Sequence, residues 1–128
     1  MTKPNLRAKT TKLELDHPTE GKFGWEFEIL GFDSAAVRTA IKQIAASRAE
    51  RTEGKTLTTL ERMNQDEQDN ADIAASAISG WNAEFAEADE TIGPFSKEKA
   101  IELMRDVELA WIREQVEACL RKRANFFR

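Results

Sequence analysis

The run "FGWEFEIL", residues 23–30, limits what this chain can fold into more than any other stretch. On an extended backbone Phe23, Trp25, Phe27 and Ile29 fall on one side, and Gly24, Glu26 and Glu28 on the other. Such alternation marks a half-buried strand. "TKLEL" alternates too, with Leu13 and Leu15 on one face, and the "DHPTEGK" between the two runs holds Pro18 and Gly21. The runs are predicted to pair as an antiparallel hairpin. A lone hairpin is marginal in water, so the aromatic face must be covered by later parts of the chain.

The residues after the hairpin read as helical. "GFDSAAVRTAIKQIAASRAER" offers Asp33 or Ser34 as a cap, then Val37, Ile41, Ile44 and Ala45 at helical spacing. "TEGKTLTTL" breaks the pattern around Gly54. A second helix is expected from about Thr59 to Ser79, with Leu60, Met63, Ala74, Ala77, Ile78 and Trp81 on its stripe. Its middle, "NQDEQDNAD", lacks large apolar side chains and is either an exposed turn of one long helix or a break between two. "SGWNAEFAEADETIGPFS" reads as a loop, ended by Gly93-Pro94. Ser96 then caps a short third helix with Ala100, Ile101 and Met104 inward, and Phe95 is placed to staple onto Ala100 or Ile101. The last helix starts near Val107–Leu109 and runs to about Arg123, its stripe being Leu109, Ile112, Val116, Cys119, Leu120 and Arg123. Trp111 lies off that stripe by about 100°, with Gln115 one turn further on.

These elements define an α+β fold, an N-terminal β-hairpin followed by a small bundle of about four helices. A chain of 128 residues matches one hydrophobic core. The expected organisation is a flexible basic arm over 1–10 and a single domain over 11–128, with the hairpin at 11–31 and the helical part at 33–125.

The chemistry-bearing residues are few. Cys119, the one cysteine, sits on an apolar stripe, and His17, the one histidine, lies in the hairpin loop. Neither has the partners of a nucleophilic site or a zinc set, and no segment has the pattern of a calcium loop or a phosphate cradle. The expectation is therefore no enzyme, no metal and no cofactor. A lone cysteine fits a reducing compartment. The basic start has no apolar run after it and no segment is long enough to span a bilayer, so a soluble, cytoplasmic protein is expected.

Net charge is −4, unevenly spread. Lys3, Arg7, Lys9 and Lys12 are basic, as are Arg121, Lys122, Arg123 and Arg128, whereas Glu61–Asp72 and Glu84–Glu90 are acidic. Opposite charge at the ends and in the middle, with surplus aromatics, suggests self-association. A DNA-binding helix-turn-helix fits poorly, because the last helix is apolar on one side and carries Glu114 and Glu117. Trp81, Trp111, Phe126 and Phe127 lie at the margins of the predicted elements. Aromatics so placed either seal a core or anchor a partner. For the terminal pair both fates stay open.

The order "ILGFDSAAVRTAIKQ", "ISGWNAEF", "GPFSKEKAIELMRD" and "WIREQVEACLRKRANFF" resembles the tail assembly chaperones of long-tailed bacteriophages and prophages, over roughly residues 11–127. The matching positions are Gly31, Asp33, Ser34, Gly80, Trp81, Pro94, Phe95, Ser96, Trp111, Arg113, Gln115, Asn125 and Phe126. The Gly80–Pro94 loop departs from the pattern in being more acidic. The resemblance implies a non-enzymatic chaperone that keeps the tape measure protein soluble in the host cytoplasm while the tail tube assembles. It then leaves and is not in the mature virion. It also brings in the tail tube protein as a second partner, while the residues themselves lead to the expectation of a homo-oligomer that binds neither nucleic acid nor membrane. Some members have a longer, frameshifted form, of which this chain would be the short product. The candidate partner-binding residues on this reading are Trp81, Trp111, Gln115, Phe126 and Phe127. The alternative is a structural head–tail connector or tail completion protein of a phage virion.

Overall fold

The structure, a computed structural model, describes residues 8–54, 56–82 and 93–127. Lys3, Arg7, the acidic run Glu84–Glu90 and Arg128 lie outside the described residues.

The hairpin forms as expected from strands β1 (Thr11–His17) and β2 (Gly21–Ile29), which pair antiparallel from Thr11↔Ile29 to His17↔Gly21. Gly21 supplies the positive φ, 71°, at which β2 leaves the turn. The pairing is not uniform. Between Glu14↔Glu26 and Asp16↔Lys22, β1 has Leu15 alone whereas β2 has Phe23, Gly24 and Trp25. Gly24 takes φ 93° within this bulge, which keeps Trp25, Phe27 and Ile29 on the buried face.

A third strand, β3 (Ile78–Trp81), pairs antiparallel with β2 and completes the sheet in the order β1-β2-β3. By spacing alone the segment reads as the end of a helix running into a loop, and pairing with β2 overrides that preference. The helix before it, α2, runs unbroken over Thr59–Ala77, so the polar "NQDEQDNAD" is part of one long helix. Ala77 ends α2, and its carbonyl accepts from the Leu30 amide at 2.7 Å, so chain direction switches to β3 without a linker.

Helix α1 covers Ala35–Thr52, with Ser34 as N-cap accepting from the Val37 amide at 3.3 Å. Helix α3 (Lys97–Arg105) is capped by Ser96 in the same way, at 3.1 Å from the Lys99 amide. Asp106 caps a 3-10 turn over Val107–Leu109, which leads into α4 (Ala110–Arg121) and a last 3-10 turn over Arg123–Phe126.

One core joins the sheet to the helices. Leu15, Trp25, Phe27, Ile29 and Ile78 face Ala71, Ala74 and Ala77 of α2, Ala100 and Met104 of α3, and Ile112, Val116 and Leu120 of α4. Some predicted inward positions differ. Leu60 and Met63 are 68% and 62% exposed, the buried side chains of α2 all lying in its second half, from Asp69 to Ala77. Leu103 replaces Ile101 on the inner face of α3. Ala45 and Arg123 are exposed, and Arg123 instead holds Asp33 at 2.9 and 3.0 Å. The 8–10 segment is not a free arm: Ala8 packs against the core and the Lys9 amide donates to the Phe126 carbonyl at 2.6 Å.

Phe126 decides the fate of the aromatic end. It is 1% exposed, and its ring lies on the backbone of Gly31, where a Cβ would come within 2.8 Å of Phe126 Cγ. Gly31 ends the sheet and opens the turn into α1, so the C-terminal ring locks that junction. Phe126→Ala should cost about 3–5 kcal/mol and Gly31→Ala about 1–3 kcal/mol by overpacking. In urea titrations the double variant should lose less than the sum, since the added methyl enters the space the ring leaves. Strict additivity would mean that the two do not share this contact.

Candidate functional site, a groove between three helices

Helix α1 is mostly polar and exposed. Val37 is its one fully buried side chain among the described residues, with Ile41 and Ile44 half-buried. A helix with so narrow an apolar face does not close down along its length, and a groove of about 850 Å³ lies between it and α2 and α3. Thr39, Gln43 and Ser47, one residue every four, form the α1 wall, and Lys97, Ile101 and Arg105 form the α3 wall. The floor holds Ala75 and Ser76 of α2 together with Ile78. Small side chains on a floor allow close approach, and helix axes separated by them can come to about 8 Å.

Ion pairs secure one end. Arg105 of α3 grips Asp72 of α2 through two 2.8 Å contacts. Hydrogen bonding to Asp72 pushes the Arg105 guanidinium above its ordinary value, with burial opposing, so it stays charged. Across α1 and α2, Arg48 reaches Asp69 at 2.8 Å and Asp66 at 3.1 Å, and Arg51 reaches Asp69 at 3.2 Å. Asp69 is only 4% exposed, so these guanidinium groups replace its water.

The five residues singled out from sequence lie elsewhere, and none lines this groove. Trp81, half-buried, donates from Nε1 to the Gly93 carbonyl at 2.9 Å and meets Phe95 edge-on, with ring centres 5.0 Å apart. It also packs on Trp25 and Phe27, and so ties the return of the chain to the sheet. Trp111 and Gln115 come together at the hairpin turn. The Trp111 ring stacks edge-on against His17 at 5.3 Å and is tilted against Phe23 at 6.1 Å. Gln115 accepts from the Asp16 amide and donates to the Asp16 carbonyl, both at 2.8 Å, like a neighbouring strand. Phe126 is core, and Phe127 is half-buried against the same cluster.

Comparison with protein-family models, curated proteins and solved structures finds no match.

The remaining chemistry is spare. Burial pushes the Cys119 thiol above its ordinary value, against a hydrogen bond from Asn125 and the charge of Lys122. His17 Nδ1 accepts the Thr19 amide at 3.2 Å and the Glu20 amide at 3.3 Å, which braces the hairpin turn. Among the described residues no group of His, Cys, Asp and Glu is arranged to hold a metal ion, and no helix is long and apolar enough to cross a membrane. The groove between α1, α2 and α3 combines a floor and walls of small and apolar side chains, among them Ala40, Ile44, Ala75 and Ile101, with charged groups at its margins.

The groove was not foreseen from sequence, yet a signal was present. Arg48 and Arg51 stand three apart on α1, Asp66 and Asp69 three apart on α2, which is the spacing for two facing charged rows.

The Gln115 strap has a testable consequence. Gln115→Ala should lower stability by about 1–2 kcal/mol, since the freed Asp16 groups are near water and recover part of their hydrogen bonding. Amide exchange at Asp16 should accelerate more than at Phe27. Unchanged exchange at Asp16 would refute the strap.

Proposed function

We propose that this chain is a non-enzymatic tail assembly chaperone of a long-tailed phage, and that its groove takes a face of the helical tape measure protein. The observation that carries this reading is the open groove between α1, α2 and α3, with polar walls and the small floor residues Ala75 and Ser76. The order of sequence segments supports it independently, as does the structural sense of the matching positions. Gly31 with Phe126, Ser34 and Ser96 as caps, and Gln115 on Asp16 each hold the domain together. They maintain the scaffold, and the groove offers the contact.

A long amphipathic helix that must not aggregate is best covered by many copies of a small protein, each binding weakly and releasing readily. Repeated contacts along one client give avidity without making any single contact permanent. On this reading the protein acts in the host cytoplasm, meets the tail tube protein only as the client is handed over, and is absent from the finished particle.

Co-purification from infected cells or an induced lysogen tests the reading directly. A tagged chain should bring down a very long, predominantly helical protein and be missing from purified virions. Recovery of portal, capsid or tube proteins, with the chain retained in particles, would make it a connector or tail completion protein. Gln43→Trp with Ser47→Trp, which fill the groove from its exposed wall, should reduce client recovery at least tenfold (about 1.4 kcal/mol) with little change in melting temperature.

Self-association belongs to the same reading. Light scattering on concentrated protein should give a mass above that of one chain, and a strictly monomeric mass would remove the oligomer from the proposal.

A further inference from the structure

Helix α1 is attached in two different ways along its length. Its root is apolar and tight. Val37 is fully buried, Ser34 caps the first turn, and the preceding Gly31 lies under the Phe126 ring. Among the described residues its outer half has no buried apolar side chain of this kind. Ala45, Ala46 and Ala49 are exposed, the helix ends at Thr52, and Gly54 just beyond it takes a φ of 68°. Among the described residues, the polar contacts that hold that half against α2 are ion pairs, Arg48 on Asp66 and Asp69 and Arg51 on Asp69.

The two kinds of attachment respond to different conditions. Apolar contacts at the root are indifferent to moderate salt. Arg48 and Arg51 side chains are 47% and 33% exposed, so both retain access to water and counterions once released. Asp69, at 4% exposure, is the group that depends on the contact, for without a cation it would be a buried, uncompensated carboxylate. That dependence has a simple release: if the outer half of α1 swings away, Asp69 gains water on the face the helix had covered.

We propose that α1 is a hinged arm, rooted at Val37 and latched by Arg48 and Arg51 on Asp69, whose release widens the groove between α1, α2 and α3. The groove is bordered by the arm itself, since Gln43, Ile44, Ser47 and Arg51 line it. A latch made of guanidinium and carboxylate groups lets the groove admit a body thicker than its resting width and then close on it. The arm's regulatory meaning rests on the reading of this groove as the client site, but its movement does not.

Hydrogen–deuterium exchange on the free full-length chain therefore tests the arm apart from any client. Asp69→Asn removes the carboxylate charge and leaves two arginines that water can solvate. Exchange over 45–58 should rise at least tenfold, while α4 and β2 keep wild-type protection. Arg48→Gln with Arg51→Gln leaves Asp69 without its cations and should give a larger rise over the same residues. For the wild-type chain, raising salt from about 0.05 M to about 1 M, which shortens the Debye length severalfold, should shift exchange in that segment in the same direction. Uniform acceleration across all elements would show that the ion pairs serve the whole fold. Unchanged exchange over 45–58 would show that the arm is held by something else, and either result overturns the proposal. If the arm opens as expected and no helical client is recovered from cells, the functional reading fails and the hinge stands.

Discussion

The three described strands of the sheet cannot by themselves keep one aromatic face dry, and helices α2, α3 and α4 are arranged to roof that face. Trp25, Phe27 and Ile29 project from β2 and are at most 2% exposed. The roof is thin where it meets them: α2 contributes Ala71, Ala74 and Ala77, so its backbone can lie close over the large rings. Bulk is restored at the sides by Met104, Ile112, Val116 and Leu120, and Phe126 fills the last gap at the Gly31 junction. Each large ring buries on the order of 150–250 Å², so this one face carries much of the hydrophobic driving force. Helix α1 is scarcely needed for the roof, which is why it can stay polar and stand off to make a groove.

The parts legible in the sequence were those governed by one dominant period. The alternation through Phe23–Ile29 specified β2 and its inward set, and the spacing Ile112, Val116, Cys119, Leu120 specified the buried face of α4. The serine caps at 34 and 96 were legible because a short polar side chain before an apolar run has few other uses. Strand β3 was hidden since "ISGW" continues the stripe of α2 at helical spacing, and only pairing with β2 reveals the change of state. Leu60 and Met63 misled in the opposite sense: their spacing is helical, but both are exposed among the described residues. The groove depends on which helices neighbour one another, which lies outside the reach of local pattern. Its charged end alone had a local trace, in the rows of arginine and aspartate.

The aromatics show how a marginal position in sequence can be central in space. Trp81, Trp111 and Phe126 each sit at the edge of an element, and each ties that edge to a distant segment: the Gly93 carbonyl, the His17 turn and the Gly31 junction. Within the domain these residues serve as fasteners. The groove between α1, α2 and α3 is lined largely by alanine, serine, glutamine and threonine, types that give little signal in sequence, with charged side chains at its margins.

The direct passage from Ala77 of α2 into Ile78 of β3 makes the two elements one mechanical piece. A helix advances by about 100° per residue and a strand alternates by about 180°. Adding or deleting one residue at that point would turn Trp81 from the sheet's inner side to its outer side, or rotate the alanine row of α2 off the rings. Neither error can be absorbed, because no connecting loop separates the elements. The chain should therefore accept changes of length between α1 and α2, around Gly54, far more readily than at this seam, and related sequences would keep the α2–β3 spacing constant while their groove walls diverge.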